Sequence, residues 1–118
     1  MINQLFENPL FNITIIVGVI FVAAGFVMVK FPPKDINFLY GYRTSRSMKN
    51  QESWDFAQKY AAKEMMKTGF VLAASGLLSF IIDFGSSVNL LVGILLVFLA
   101  VVILLIRVEK AIKKRFGK

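Results

Sequence analysis

The chain has 118 residues, of which 57% are hydrophobic, and its formal net charge is +7. This composition is too apolar for an ordinary soluble domain and indicates a membrane protein. The sequence contains neither cysteine nor histidine, so it lacks disulfides, a thiolate nucleophile and the commonest metal ligand. We therefore expect no metal site, no cofactor and no catalysis by a thiolate or an imidazole.

The first predicted element is a transmembrane helix over residues 9–29, which carry no charge. A span needs roughly 20 apolar residues, and this segment provides them. Asn8 is expected to cap the helix, with Pro9 at its first helical position, and Pro32 and Pro33 end it. The preceding segment has no basic residue, so we interpret this helix as retained rather than as a signal peptide.

A polar loop over residues 30–65 follows, and its second part predicts an amphipathic helix. The helical pattern runs from Asn50 to Thr68. Its apolar side contains Trp54, Ala57, Ala61, Met65 and Thr68, and its charged side contains Asp55, Lys59, Lys63 and Lys67. Such a helix can lie among lipid headgroups, with Trp54 as an anchor, or pack on the rest of the protein. The pattern leaves both arrangements open, and also leaves open whether the helix continues into the next span.

Residues 66–83 and 87–106 predict the second and third spans, joined by a tight turn in which Ser86 or Ser87 caps the third helix. The second span is short, but Lys67 can extend its ammonium group to the interface. Small residues at helical spacing, such as Gly69 and Ala73, favour close helix packing and also allow a homo-oligomer. A basic tail, residues 107–118, ends the chain.

The basic residues predict the orientation of these spans. All 14 lie in residues 30–67, which are the loop and the first two residues of the second span, or in the tail. They are Lys30, Lys34, Arg43, Arg46, Lys49, Lys59, Lys63, Lys67, Arg107, Lys110, Lys113, Lys114, Arg115 and Lys118. Because basic loops stay in the cytoplasm, we expect an outside N-terminus and a cytoplasmic C-terminus. The predicted fold is an all-α integral membrane protein with three transmembrane helices. An amphipathic, interfacial cytoplasmic helix comes directly before the second of them. Residues 1–118 form one domain.

The loop contains the most chemically varied stretch of the chain, "INFLYGYRTSRSMKNQESW", residues 36–54. Gly41, between two tyrosines, indicates a turn or a close approach that requires glycine. Arg43 can bind a phosphate or carboxylate through two parallel hydrogen bonds, assisted by the Thr44 hydroxyl. The plainer alternative is that Arg43 and Arg46 contact only lipid phosphates and nearby helix carbonyls.

This stretch resembles the signature of the SdpI family of bacterial membrane proteins. The matching positions are Asn37, Gly41, Tyr42, Arg43, Thr44, Ser47, Asn50, Trp54 and Ala57. The resemblance extends from the end of the first span through the second, with the third span also in place. The family's characterised member is longer, with additional spans before the motif, so this chain corresponds to a short, three-span form.

The resemblance implies a function in the bacterial cytoplasmic membrane. The characterised member confers immunity to a secreted peptide toxin that collapses the membrane potential, and it holds a transcriptional repressor at the membrane. The resemblance implies a ligand- or partner-binding site at Asn37, Gly41, Tyr42, Arg43, Thr44, Ser47, Asn50 and Trp54. The chemistry of the loop adds Tyr40, for aromatic contact, and the basic Arg46. Expected partners are anionic lipid headgroups, a peptide toxin, a cytosolic regulator and a second copy of the chain, and no nucleic acid.

Three other functions stay open from the residues alone. The chain could be a small oligomeric transporter or channel subunit, although the ionisable groups of its spans, Lys67 and Asp83, lie only at the ends, and groups within a span are what usually mark ion routes. It could be a membrane enzyme in which Glu52 and Asp55, three residues apart, bind a divalent cation; solvated, paired carboxylates are the plainer reading. It could also be a scaffold whose basic loop and tail recruit a cytosolic regulator, where the plain role of the tail is to attach to anionic lipid.

Overall fold

The computed structural model describes residues 6–81 and 83–117. This part of the chain is helical and contains no strand. Its three long helices are α1 (Pro9–Lys30), α2 (Gln51–Ser75) and α3 (Ser86–Phe116), and a short 3₁₀ helix (Gly76–Phe80) follows α2. The expected all-α class is confirmed. The three helices form an elongated bundle measuring 50 × 26 × 20 Å.

Helix α1 begins and ends close to the predicted bounds. The Asn8 side chain accepts a hydrogen bond from the Leu10 backbone amide at 2.9 Å, and Pro9 occupies the first position of the helix. The helix ends at Lys30, just before the Pro32–Pro33 pair. Local capping chemistry and proline stereochemistry set both ends, which explains why the sequence predicted them.

Helix α2 resolves a question that the sequence left open, because the amphipathic and apolar segments form one continuous α-helix. Asn50 caps it by accepting a hydrogen bond from the Ser53 amide at 2.8 Å. The α-helix ends at Ser75, where the 3₁₀ helix begins, and Ser75 and Ser79 each donate a 2.5 Å bond to the carbonyl three residues earlier. Such hydroxyl bonds compete with the regular backbone ladder. Residue 82, near the end of the predicted second span, lies outside the described residues.

The predicted serine cap of the third helix is wrong. Ser86 is already the first residue of α3, and Gly85 occupies the cap position without a side-chain bond. The preceding turn is held instead by Asp83, which accepts from the Gly85 amide at 3.1 Å and from the Asn89 amide side chain at 3.0 Å. The Asp83 carboxylate accepts both bonds at once, and no serine hydroxyl caps the helix. At its other end α3 continues through the basic tail to Phe116.

Helices α1 and α2 approach each other closely at small residues, as the spacing predicted. A Cβ atom added to Gly18 would lie 2.7 Å from the Gly69 carbonyl oxygen and 2.8 Å from the Ala73 nitrogen. Similarly, a Cβ atom added to Gly25 would lie 2.7 Å from the Ala62 carbonyl oxygen. These small residues bring two backbones into contact within one chain, as is common in membrane helices. The small residues of α1 and α2 therefore serve helix packing inside the protein.

Two helices are long and apolar enough to cross a membrane, namely α1 and α3. Only 22% of the most apolar stretch of α1 and 17% of that of α3 are buried in the protein. The core helix of a soluble protein would be mostly buried, so these exposed apolar surfaces fit contact with lipid. Helix α2 does not meet the same criterion because its first 17 residues, 51–67, are largely polar and charged. Its later part still exposes Phe70 and Val71.

Charge separates the two ends of the bundle. We call the end that contains residues 31–50 the loop end and the end that contains residues 83–85 the turn end. Within residues 6–81 and 83–117, every basic side chain belongs to the loop, to the first part of α2 or to the ends of α1 and α3 that lie there. The turn end carries Glu7 and Asp83, which lie near each other around a shared surface pocket. The buried core lies towards the loop end and includes Met28, Ala61 and Val108.

Candidate functional site

The polar loop of residues 37–50, which we call the motif loop, begins by closing the end of α1. The Asn37 side-chain oxygen accepts bonds from the Leu39 and Tyr40 amides at 2.9 and 2.7 Å. This turn directs the Tyr40 hydroxyl to the Phe31 carbonyl oxygen, to which it donates at 2.5 Å. Carbonyls at a helix C-terminus lack partners within the helix. Asn37 and Tyr40 therefore have a structural role in capping α1.

The centre of the motif loop is held by a residue of α2, Gln58. Its side-chain oxygen accepts from the Tyr42 amide at 2.6 Å, and its side-chain nitrogen donates to the Tyr42 carbonyl at 2.7 Å. Gly41 makes this approach possible, because its φ is 112° and an added Cβ atom would lie 2.7 Å from the Gln58 side-chain oxygen. Both the backbone conformation and the space thus require glycine, as the sequence indicated.

Thr44 and Ser47 stabilise the next turn through reciprocal hydrogen bonds. The Ser47 hydroxyl oxygen accepts from the Thr44 amide at 2.8 Å, and the Thr44 hydroxyl oxygen accepts from the Ser47 amide at 3.2 Å. The Ser47 hydroxyl also lies 3.0 Å from the Tyr42 carbonyl oxygen, to which it can donate. Ser47 is fully buried. Its hydroxyl therefore belongs to the internal framework and not to a binding surface.

Glu109 of α3 collects three side chains of the motif loop. One carboxylate oxygen accepts from the Tyr42 hydroxyl at 2.8 Å and from the Thr44 hydroxyl at 2.9 Å. The other oxygen accepts from Arg46 at 3.3 Å. Burial, together with the bond to Glu109, raises the pKa of the Tyr42 phenol above its usual range. The phenol therefore stays protonated and acts as a donor to the carboxylate.

Trp54 lies inside the protein and not at its surface. Its side chain is fully buried, and its indole nitrogen donates to the Pro33 carbonyl oxygen at 2.7 Å. The residues that share its predicted face, Ala57 and Ala61, are also fully buried. The role of Trp54 as a headgroup anchor, one of the two arrangements that the sequence left open, is therefore wrong. It packs on the protein because the loop folds back over α2 and covers it.

Arg43 is exposed, as are the motif residues Tyr40 and Asn50. Its Nε donates to the Asn37 carbonyl oxygen at 3.0 Å, and its guanidinium carbon lies 5.9 Å from the centre of the Phe38 ring. In the described part of the chain, the two terminal guanidinium nitrogens have no hydrogen-bond partner. They therefore keep their donors for an anionic group, which is the chemistry expected of Arg43.

Arg43 lies at the end of an apolar groove that we call the motif groove. Its volume is about 510 Å³, and residues Tyr40 to Thr44 form its end. Its walls come from α1, including Ala24 and Val27, and from α3, including Val101 and Leu105. Val27 and Leu105 are 44% and 41% exposed, so the groove opens sideways between the two apolar helices. It combines an apolar wall with an aromatic and cationic end.

A second ionic cluster links α2 and α3 near the loop end. The buried Glu64 carboxylate accepts a hydrogen bond from Arg107 and lies 3.3 Å from the Lys67 ammonium nitrogen. The hydrogen bond from Arg107 lowers the pKa of the Glu64 carboxyl below its usual range, although burial opposes this shift. The carboxylate is therefore ionised at neutral pH and holds both cations.

The structure brings all the predicted motif residues together at the loop end, but it gives most of them partners inside the protein. Among the described residues, no buried side-chain nitrogen or oxygen lacks a hydrogen-bond partner. The sequence reading missed Gln58, Glu64 and Glu109, to which the motif and the basic residues bind. A signal existed for two of them. Gln58 is polar on the apolar face of α2, four residues after Trp54, and Glu109 is the one acidic residue of the basic tail.

Nothing in the described part of the chain resembles a metal centre. Within residues 6–81 and 83–117, no group of three or more histidine, cysteine, aspartate or glutamate side chains is placed to hold a metal ion. Asp55, one member of the carboxylate pair considered above, instead accepts a 2.8 Å bond from the Gln51 side chain.

The fold and the site define a class of protein: an all-helical membrane protein whose polar loop packs on the ends of its helices. The profile of the SdpI/YfhL protein family matches residues 34–107. The chain is also 43% identical over 96 residues to the uncharacterized protein YfhL of Bacillus subtilis (strain 168), which covers 81% of this chain and 82% of YfhL. No solved structure showed significant similarity. The chain belongs to the SdpI/YfhL family, as its motif predicted.

Proposed function

We propose that this chain is a non-catalytic immunity protein that protects a bacterial membrane against a membrane-active peptide toxin. Membership of the SdpI/YfhL family makes this class of function the leading candidate. One structural observation carries the proposal further. The exposed motif residue Arg43 lies at the end of an apolar groove that opens sideways between α1 and α3. Such a groove suits an apolar segment that ends in a carboxylate or another anionic group.

The sideways opening also suits a target that is already in the bilayer. If the loop end faces the cytoplasm, a toxin that stays outside the cell cannot reach Arg43. A toxin that has inserted can reach the motif groove from within the membrane, because groove-lining residues such as Ala24 and Val101 belong to the apolar helices. In this proposal the protein holds the inserted toxin as a single bound peptide and prevents it from permeabilising the bilayer.

The proposal is tested by survival of a toxin-sensitive strain that expresses the chain. Ala24→Phe fills the motif groove, whereas Ala23→Phe adds the same bulk to the neighbouring, exposed side of α1. We expect Ala24→Phe to abolish protection and Ala23→Phe to retain it, at equal membrane levels. Equal protection from both variants would contradict binding in the groove.

A second variant tests the charged end of the groove. Arg43→Gln keeps a side-chain donor for the Asn37 carbonyl but removes the positive charge. We expect it to lower protection, whereas Lys49→Gln, which removes a charge from the same loop outside the groove, should not. Unchanged protection by Arg43→Gln would remove the proposed role of this guanidinium.

We further propose three spans, with the N-terminus outside and the C-terminus in the cytoplasm. The separation of the basic loop end from the turn end supports this orientation. The apolar part of α2, residues 66–75, and the five residues of its 3₁₀ extension would form the second span, since together they extend roughly 25 Å. The basic loop end would then attach to anionic lipid in the cytoplasmic leaflet.

Single cysteines test this topology, because the natural chain has none. Ser45 and Ser87 are suitable positions since both are exposed, whereas Ser47 is buried. With a membrane-impermeant maleimide on intact cells, we expect labelling at Ser87→Cys and no labelling at Ser45→Cys until the cells are lysed. Labelling of both positions from the same side would mean that α2 does not cross the membrane, and the reverse pattern would invert the orientation.

A further inference from the structure

A second apolar groove, the α2–α3 groove, lies on another side of the bundle. It runs between residues 68–75 of α2 and residues 96–103 of α3, and its volume is about 360 Å³. Its lining is almost entirely apolar, and the hydroxyl of Ser75 is already bonded to the Leu72 carbonyl at 2.5 Å. Glu64 lines the α2–α3 groove, whereas the adjacent Met65 lines the motif groove, so the two grooves lie on different sides of α2.

One end of the α2–α3 groove carries a fixed arrangement of charge. Lys67 from α2 and Arg107 from α3 both bind the carboxylate of Glu64, which is only 4% exposed. The two cationic side chains remain 71% and 54% exposed. Arg107 uses its Nε for Glu64, and its terminal nitrogens have no hydrogen-bond partner among residues 6–81 and 83–117. Two cations and one carboxylate leave a net charge of +1 at this end.

The length of the groove matches one leaflet of a bilayer. From Lys67 to Ser75 the helix rises roughly 12 Å, and from Leu96 to Arg107 roughly 16 Å, at 1.5 Å per residue. Half of a hydrocarbon core of about 30 Å is about 15 Å. With the charged end at the level of the headgroups, the apolar walls therefore extend to about the middle of the membrane.

We propose that the α2–α3 groove is a binding site for an anionic diacyl phospholipid with one negative charge, such as phosphatidylglycerol. One acyl chain lies between α2 and α3, and the phosphate lies between Lys67 and Arg107. The free guanidinium nitrogens of Arg107 match the geometry of two phosphate oxygens. The net charge of +1 favours this lipid over a zwitterionic one, whose ammonium group would be repelled. The buried Glu64 acts as a positioning residue, because its carboxylate binds both cations and fixes them at the end of the groove.

The test is photo-crosslinking of the full chain in nanodiscs of zwitterionic phosphatidylcholine. The probe is phosphatidylglycerol with a diazirine on one acyl chain, and crosslinked residues are mapped by mass spectrometry. We expect crosslinks within residues 68–75 and 96–103, and competition by unlabelled phosphatidylglycerol but not by added phosphatidylcholine. Crosslinks spread evenly over the exposed faces of α1 and α3, or equal competition by both lipids, would overturn the proposal.

Two pairs of variants separate the headgroup from the acyl chain. Lys67→Gln with Arg107→Gln should lower crosslinking on the order of thirtyfold, since each of the two cations near the surface contributes about 1 kcal/mol to binding of anionic lipid and 1.4 kcal/mol corresponds to tenfold. Lys63→Gln with Lys110→Gln removes the same charge outside the groove and should have little effect. Equal losses in both double variants would indicate only a general attraction of the loop end for anionic lipid and would overturn the site.

The second pair leaves every charge in place. Ala100→Phe fills the α2–α3 groove, whereas Leu95→Phe changes a side chain that is already 52% exposed and lies outside it. We expect Ala100→Phe to abolish the crosslinks at residues 68–75 and Leu95→Phe to leave them unchanged. Unchanged crosslinking in Ala100→Phe would overturn the placement of the acyl chain. Survival assays on the motif groove do not depend on this result, so the two proposals can fail separately.

Discussion

Gln58 forms hydrogen bonds with both backbone polar groups of Tyr42, accepting from the amide at 2.6 Å and donating to the carbonyl at 2.7 Å. This pair of bonds joins the motif loop to α2 in the way that a neighbouring strand would. Because Tyr42 in turn donates its hydroxyl to Glu109 of α3, one residue of the loop connects two helices. The packing of the loop end depends on this connection.

Gln58→Leu is expected to destabilise the protein by about 1–3 kcal/mol, the cost of a buried polar group without a partner. The Tyr42 amide would lose its bond, whereas the carbonyl would keep its contact with Ser47. The measurement is reversible unfolding in mixed micelles, with Lys59→Leu as the control at an exposed position of the same helix. Equal stability of the two variants would contradict the importance of this bond.

Glu109 and Tyr42 are expected to be energetically coupled. Each single variant, Glu109→Gln or Tyr42→Phe, removes the charge-assisted hydrogen bond between them, so the double variant should lose less than the sum. A double-mutant cycle on unfolding should give a coupling energy of about 0.5–3 kcal/mol. The pair Glu109 and Asn37, which are not in contact, should give additive effects. An additive result for Tyr42 would show that this bond contributes nothing to stability.

Gly41→Ala is expected to be more destabilising than Gly85→Ala. Both residues have a positive φ, 112° and 96°, so both substitutions strain the backbone by about 1–2 kcal/mol. Only at Gly41 would the new Cβ atom also clash, at 2.7 Å from Gln58 and 2.9 Å from Pro33, because nothing lies within 4 Å at Gly85. The difference between the two variants in thermal unfolding measures this clash. Equal losses would mean that the loop moves away without cost.

Trp54 should show the fluorescence of a buried indole. It is the sole tryptophan of the chain, so its emission can be assigned directly. We expect blue-shifted emission that is insensitive both to a water-soluble quencher and to brominated lipids with the bromine near the headgroup. A headgroup anchor would be quenched by those lipids. As a control, Trp54→Phe with Phe38→Trp places the indole on a side chain that is 79% exposed, and it should be quenched.

Stability should fall in acid because of Glu64. Its pKa is lowered in the folded protein, chiefly by the hydrogen bond from Arg107, so the ionised carboxylate stabilises the fold above the unfolded pKa of 4.5. This contribution is lost as the pH falls below 4.5 and through the lower, folded pKa. In thermal unfolding measured across this pH range, the stability of Glu64→Gln should therefore fall less steeply with decreasing pH than that of the wild type. A wild-type curve parallel to that of Glu64→Gln would contradict the assignment, and Glu52→Gln, at an exposed position, is the control.

The local features of the chain were predictable because they depend on residues near one another in sequence. Asn8 with Pro9, and the prolines after Lys30, predicted the bounds of α1. The helical pattern identified the apolar face of α2 that contains Trp54. The third helix shows the limit of such reasoning, since Asp83 and Asn89 hold the turn where a serine cap was expected. Several residues could cap that helix, and the choice among them depends on the path of the turn.

The motif itself shows the same division. Its spacing identified the SdpI/YfhL family, but it did not reveal that Ser47 and Trp54 are buried or that Tyr40 caps α1. These roles depend on contacts across the fold, such as the 2.7 Å bond between Trp54 and Pro33, 21 positions earlier in the chain. An interfacial tryptophan and a buried one have the same local pattern, because both need an apolar face and one polar partner.

The sequence by itself therefore determined the membrane class, the all-helical fold, the family and the place of the varied segment between two apolar stretches. Apolar length, charge distribution and motif spacing are properties of the chain that do not require its path in space. Only the tertiary structure decided that α2 is one continuous helix, that Gln58 and Glu109 hold the motif loop, and that Arg43 is left with free donors at the end of a groove. Hydrogen bonds and grooves between distant segments exist only after α1, α2 and α3 have packed together.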